Sequence, residues 1–150
     1  MYVYQCMRSP VITITADTPI SEAQSLMREN SIHHLPVADN GELVGLITIT
    51  NVLAATDSFL RDDRNRIHAN EIIVGDVMVK DVATVDVNAS LRQAALFLEK
   101  HQIGCLPVMD DGSLVGIITE TDFVAVAINL LEQLESSEPF EDDFDDVDVA

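Results

Sequence analysis

Residues 7–54 align with residues 78–125 at a constant offset of 71, without a gap. Seventeen of the 48 aligned pairs are identical, among them Leu35/Leu106, Pro36/Pro107, Val37/Val108, Gly41/Gly112, Gly45/Gly116 and Thr48/Thr119. A chain that repeats one pattern this closely folds as two similar units. Two copies are too few for a stacked array, so the units are expected to pack against each other about a pseudo-two-fold axis. The identities cluster in the second half of each copy, where side chains face a shared core or site.

Each copy reads as β-α-β-β-α. Val11–Thr15 and Val82–Asp86 are short and β-branched, which predicts strands. Asp17-Thr18-Pro19 and Asn88-Ala89-Ser90 are helix starts: proline suits the first turn, and Ser90 with Gln93 makes a capping box. Ile20, Ala23 and Met27, and then Leu91, Ala94, Ala95 and Leu98, give one apolar helix face each. Leu35-Pro36-Val37 and Leu106-Pro107-Val108 read as second strands, with the donor-less proline at an edge, a bulge or a strand start. Asp39-Asn40-Gly41 and Asp110-Asp111-Gly112 are hairpin turns, and Leu43–Ile47 and Leu114–Ile118 are third strands. Closing helices are expected from about Thr50 to Ala55 and from about Thr121 to Leu134. The fold class is therefore α+β, with units at 1–56 and 74–135, a polar connector at 57–73, and a tail at 136–150.

Charge is distributed unevenly. The 150 residues carry 26 acidic and 8 basic side chains, a net −18. Nine of the acids and none of the bases fall in residues 132–150. Such a block repels itself and buries little, so the end of the chain is expected to be disordered. Phe140 and Phe144, four apart among the acids, could form an amphipathic turn on a partner. The overall charge argues against a nucleic-acid binder and against docking on anionic membrane. No apolar run approaches a spanning helix, and Met1–Gln5 has no basic character, so a soluble cytoplasmic protein is expected. Cys6 and Cys105 fit buried, reduced thiols.

The ordered set Leu35-Pro36-Val37, Asp39-Asn40-Gly41 and Gly45–Asn51, repeated through Gly116–Asp122, resembles the cystathionine-β-synthase (CBS) domain, present twice as a CBS pair or Bateman module. Single motifs are weak, but the set occurs in order, twice, over roughly residues 3–135. Ile103–Val108 with Gly116–Asp122 is similar to acetoin-utilisation B-type CBS proteins, whose C-terminal ACT-like domain has no counterpart in the acidic tail.

The resemblance implies an adenosine-containing ligand (AMP, ADP, ATP or S-adenosylmethionine) in the clefts between repeats, with no obligatory cofactor. The motif concerned is a glycine, then Thr or Ser three residues on, then Asp three further. At a strand-to-helix junction that spacing puts hydroxyl and carboxylate on one side of the first turn. The carboxylate can grip two ribose hydroxyls, the helix N-terminus offers amides to phosphate, and glycine admits the ligand to the backbone. Copy two matches with Gly116, Thr119 and Asp122. Copy one has Gly45 and Thr48, but Asn51 replaces Asp. The copy-two site is expected to be the better one. Thr13, Thr84, His34 with Pro36, and Cys105 with Pro107 resemble the positions that wall the adenine.

The bland reading of Thr48 and Thr119 is helix capping, which can coexist with binding. Cations for phosphate are scarce: Arg8 and Lys80 near the start of each copy, and Arg61, Arg64 and Arg66 in the connector. No metal site is expected. His33 and His34 are adjacent and should point to opposite faces of a strand, and His68 and His101 lack partners at ligand spacing. No nucleophile–base pair or nucleotide-loop motif stands in the chain, so no enzyme is expected. Three readings follow: an adenosyl-ligand sensor acting on an effector protein; a ligand-free dimeric interaction module using its surface and tail; or a regulator of acetoin metabolism by analogy. Val124, Ile128 and Leu131 would suit a homodimer face.

Overall fold

The computed structural model describes residues 1–61 and 72–137. In copy one, helix α1 (Ile20–Asn30) leads to strands β1 (His34–Asp39) and β2 (Glu42–Thr48) and helix α2 (Ile49–Arg61). A single turn, α3 (Val74–Val77), opens copy two. Strand β3 (Val85–Asp86), helix α4 (Leu91–His101), strands β4 (Cys105–Asp110) and β5 (Ser113–Thr119) and helix α5 (Glu120–Ser137) follow. The closing helices are longer than their sequence pattern, at 13 and 18 residues. The expected disordered tail falls, from residue 138 on, outside the described residues, as do residues 62–71 of the connector.

Both hairpins turn on two residues with positive φ: Asn40 and Gly41 at 49° and 81°, Asp111 and Gly112 at 48° and 82°. That is the twist a right-handed hairpin needs, and it explains the Asn-Gly and Asp-Gly pairs. Each hairpin carries a bulge just after its proline, between Val37 and Ala38 and between Val108 and Met109. The proline lies inside β1 or β4, with its nitrogen facing the strand that opens the copy. This shortens the expected opening strands. Ile14 N donates to Pro36 O at 3.1 Å and Ala38 N to Ile14 O at 2.9 Å, but Pro36 has no N–H to carry the parallel ladder back toward Ile12. Copy one therefore keeps a single bridge, Ile14 to Val37, and copy two a two-residue strand paired with Val108 and Met109. The Ser90 capping box forms as expected: Ser90 Oγ accepts from Gln93 N at 3.1 Å, and Gln93 Oε1 from Ser90 N at 3.4 Å.

The two copies exchange their opening segments. Met1 O accepts from Leu91 N, Val3 N donates to Ala89 O, and Tyr4 N to Val87 O. Seventy-one residues on, Ile72 O accepts from Ile20 N, Val74 N donates to Thr18 O, and Gly75 N to Ala16 O. Val3 is thus fully buried among Leu91, Ala94, Leu98, Leu106, Val108 and Ile118 of copy two. Val74 sits equally buried among Ile20, Met27, Leu35, Val37, Ile47 and Val52 of copy one. Burial of each valine is worth about 2 kcal/mol, and each is covalently part of the other copy. The sequence repeat and the packed unit are therefore offset from one another, and the exchange ties the units together.

Candidate functional site

The exchange decides what meets between the copies. After crossing to copy two, the opening segment runs antiparallel to β5: Arg8 N donates to Ile117 O at 2.9 Å and Ile117 N to Arg8 O at 3.1 Å. It then turns back through Pro10, Val11 and Ile12 toward its own copy. The turn encloses a cleft of about 330 Å³. Arg8 and Pro10–Ile12 form one wall, the end of α1 and its sequel (Asn30–His34) another, and Ile117, Thr119, Glu120 and Thr121 the third, with Gly104 at the base. The motif of copy two thus faces the opening segment and pre-β1 loop of copy one.

Of the residues expected at the site, Arg8, His34 and Thr119 line this cleft, and Asp122 stands at its rim bonded to two of them. Asp122 Oδ2 accepts from Thr119 N at 2.8 Å and from Thr119 Oγ1 at 3.3 Å, and Oδ1 faces Arg8 Nε at 3.4 Å. The carboxylate is only 11% exposed, whereas the Arg8 side chain is half-exposed. One carboxylate oxygen is therefore already committed to Thr119. The oxygen that makes no bond to Thr119 is Oδ1, the one facing Arg8.

Copy one holds the same capped turn with one further bond. Thr48 N and Thr48 Oγ1 donate to Asn51 Oδ1 at 3.0 and 2.9 Å, and Asn51 N donates to Thr48 Oγ1 at 3.2 Å. This is a reciprocal cap in which each side chain satisfies the other. The capping reading describes Thr48 well, and Asn51 keeps the cap while removing the charge.

Several expectations change. Gly45 and Gly116 do not open the backbone to a ligand. A Cβ on Gly116 would lie 2.7 Å from Met7 Sδ and 2.9 Å from Arg8 O, and one on Gly45 would lie 2.5 Å from Met78 Sδ and 2.9 Å from Val79 O. These glycines admit the exchanged segments. Pro36, Pro107 and Cys105 are buried in their sheets and offer no surface to a cleft. Thr13 is exposed one residue beyond the lining Ile12. Thr84 and Lys80 line a separate depression with Gly45, and neither Thr48 nor Asn51 lines it. Of the amides offered at the start of α5, Glu120 N is spent on Gly104 O at 3.1 Å. Arg64 and Arg66 lie outside the described residues, as does the side chain of Arg61.

His33 and His34 do not point apart: β1 begins only at His34, and both residues line the cleft. Burial, then the neighbouring His33, holds His34 below its ordinary pKa, with Glu120 opposing. At the equivalent position of copy two, burial and then Glu120 push the Cys105 thiol up to about 12, which makes it inert. Among the described residues no group of His, Cys, Asp or Glu is placed to hold a metal, and no helix is long and apolar enough to cross a membrane. Sequence reasoning missed the walls at Pro10–Ile12 and Asn30–Ile32. They lie at the end of α1 and where the chain approaches β1 and the Ile14 bridge, and no local pattern marks which of these residues face a cleft.

Known proteins share this fold. The family model for the CBS domain matches residues 3–58 and 74–129. A protein assigned to acetoin utilization (AcuB) in Vibrio cholerae superposes with a TM-score of 0.78 at 38% identity, covering 93% of this chain and 98% of its own. The CBS pair of MJ0100, solved with 5′-methylthioadenosine and S-adenosyl-L-methionine, gives 0.76 at 26% identity, over 87% of this chain and 98% of its own. CBSX2, solved with AMP, gives 0.73 at 28% over the same shares.

Proposed function

Because the chain belongs to the CBS-domain family, we propose that it is a non-catalytic regulatory module that binds an adenosine-containing ligand in the Arg8–Thr119–Asp122 cleft and reports occupancy to an effector protein. The observation that carries this reading is the state of Asp122. Both Asn51 and Asp122 cap the threonine three residues before them with one side-chain oxygen, but Asp122 has a second, charged oxygen, Oδ1, facing Arg8 at the edge of the inter-copy cleft. The ribose hydroxyls would be received by Asp122 Oδ1 and Thr119 Oγ1. The adenine would lie against Ile12, Ile32 and Ile117, three apolar side chains around the same cleft. Relatives solved with AMP and with S-adenosylmethionine support the ligand class. Because the cleft is built from both copies, a ligand there acts on how they sit together. It shifts that equilibrium by its difference in affinity for two arrangements.

A thermal-shift panel of AMP, ADP, ATP and S-adenosylmethionine tests the ligand class. A ligand at 100 times its Kd adds about 2.7 kcal/mol, a rise of several degrees. No rise with any of the four, at millimolar concentration, refutes it.

The module is further proposed to be a homodimer through α5. That helix has no buried residue, and Val124, Ile128, Leu131 and Leu134 stand exposed along it at 51–61%. An isologous contact lets one stripe cover its own copy. Light scattering at micromolar concentration should give twice the chain mass, and Ile128→Glu should halve it. A monomer in the unsubstituted protein contradicts this.

A further inference from the structure

We infer that Arg8 is a charge-selective latch on this cleft: its guanidinium partners Asp122 and exchanges that carboxylate for the phosphate of an anionic ligand. The inference rests on the reading above, that the cleft takes an adenosine compound, and adds which ligands it prefers. The backbone of Arg8 is pinned to β5 on both sides, by hydrogen bonds of 2.9 and 3.1 Å to Ile117, and Ser9 Oγ donates to Val115 O at 2.9 Å. The Cα is therefore fixed at the cleft wall, while the side chain is half-exposed and paired with Asp122. Only Nε has a partner among the described residues, which leaves both terminal nitrogens available.

The pair occupies the working atom of the site. Asp122 Oδ2 is committed to Thr119, so Oδ1 is the oxygen left for a ribose hydroxyl, and Oδ1 is the atom Arg8 holds. An uncharged nucleoside must share Oδ1 with the guanidinium. A ligand with a phosphate gives the guanidinium a stronger, bidentate partner and frees Oδ1 at the same time. Arg8 is also the only permanent cation among the described lining residues. Glu120 is the acidic residue of the lining and Asp122 stands at the rim; the lining also holds His33 and His34, the latter kept toward its neutral form by burial. Without Arg8 the cleft would present two carboxylates, a field that disfavours phosphate and favours a sulfonium cation. The device belongs to one cleft: the residue equivalent to Arg8 is Val79, and the residue equivalent to Asp122 is Asn51.

The test is calorimetric titration of AMP, adenosine and S-adenosylmethionine into the full chain and its Arg8→Gln and Arg8→Lys variants, each checked for an unchanged melting temperature. Arg8→Gln should weaken AMP about tenfold, the loss of a charged hydrogen-bond partner. It should leave adenosine within about threefold or tighter, because an exposed ion pair is weak. The AMP-to-adenosine preference should fall about tenfold or more, and S-adenosylmethionine should gain on AMP. Arg8→Lys should keep part of the preference. Equal losses for AMP and adenosine, or no change for either, overturn the latch while the adenosine reading stands. If none of the three ligands binds the unsubstituted protein, the adenosine reading fails and the latch with it.

Discussion

Replacing Gly116 by alanine should loosen the exchange that builds the cleft. The new methyl would lie 2.7 Å from Met7 Sδ, 3.2 Å from Met7 Cγ and 2.9 Å from Arg8 O. Comfortable contacts begin near 3.5 Å. Met7 can yield by rotating. Arg8 O cannot, because it accepts Ile117 N at 3.1 Å within a paired set of backbone bonds. Overpacking of this kind costs about 1–3 kcal/mol, and weakening one backbone hydrogen bond adds up to about 1 kcal/mol. A loss of about 2–3 kcal/mol is expected. In a chain of this size that lowers the melting temperature by roughly 6–9 °C. Calorimetry on Gly116→Ala, Met7→Ala and the double variant reads both size and cause. Trimming Met7 relieves the sulfur contact, so the two losses should fall short of additive by about 1 kcal/mol. An unchanged melting temperature, or strict additivity, refutes the argument that Gly116 exists to admit the opening segment.

Ser90→Ala removes the capping box of α4 and should cost about 1 kcal/mol, seen as a fall of roughly 3 °C in the melting temperature; an unchanged value would mean the box contributes nothing. Burial holds His34 below its ordinary pKa of 6.5, so between its folded value and 6.5 the unfolded chain binds the extra proton. The stability this gives is present above pH 6.5 and is lost as pH falls through that window. Denaturant midpoints measured from pH 7.5 to 5 should decline more steeply in the unsubstituted protein than in His34→Gln, and parallel curves would contradict the assignment. With its pKa pushed up to about 12 by burial, Cys105 should ignore a disulfide reagent at pH 8 until the chain is unfolded, while half-buried Cys6 reacts first; immediate reaction of both thiols would show that the second sheet opens readily.

Most of the fold was legible because its signals are local. A 3.6-residue apolar face marks α1 and α4, Asn-Gly and Asp-Gly mark the hairpins, and Ser90 with Gln93 marks a helix start. What was not legible depends on contacts between distant residues. Nothing in Val3 or Val74 says that each belongs in the other copy's core, since an exchanged segment and an unexchanged one bury the same side chains. The role of Gly45 and Gly116 is hidden for that reason: without the crossing segment, the side-chain-free face of each glycine reads as room for a ligand. The opening strands are shorter than their β-branched runs because Pro36 and Pro107 offer no N–H to the neighbouring strand that would bond there. The Thr119–Asp122 turn was found because its spacing fixes its geometry. Its asymmetry with Thr48–Asn51 followed from one residue. The walls at Pro10–Ile12 and Asn30–Ile32 are not legible, because which of these residues face a cleft depends on the crossing of the opening segment to the other copy.

Asp122 Oδ1 is the ribose acceptor on which the proposed site between the copies depends. Calorimetric titration of AMP into the unsubstituted chain and into Asp122→Ala, side by side, tests it most directly. The predicted result is saturable binding near micromolar, about 8 kcal/mol, reduced at least a hundredfold by the substitution, while loss of the cap on Thr119 N lowers the melting temperature by only a few degrees, roughly 3 °C per kcal/mol. Binding of equal strength in both proteins would place the ligand elsewhere and contradict the account.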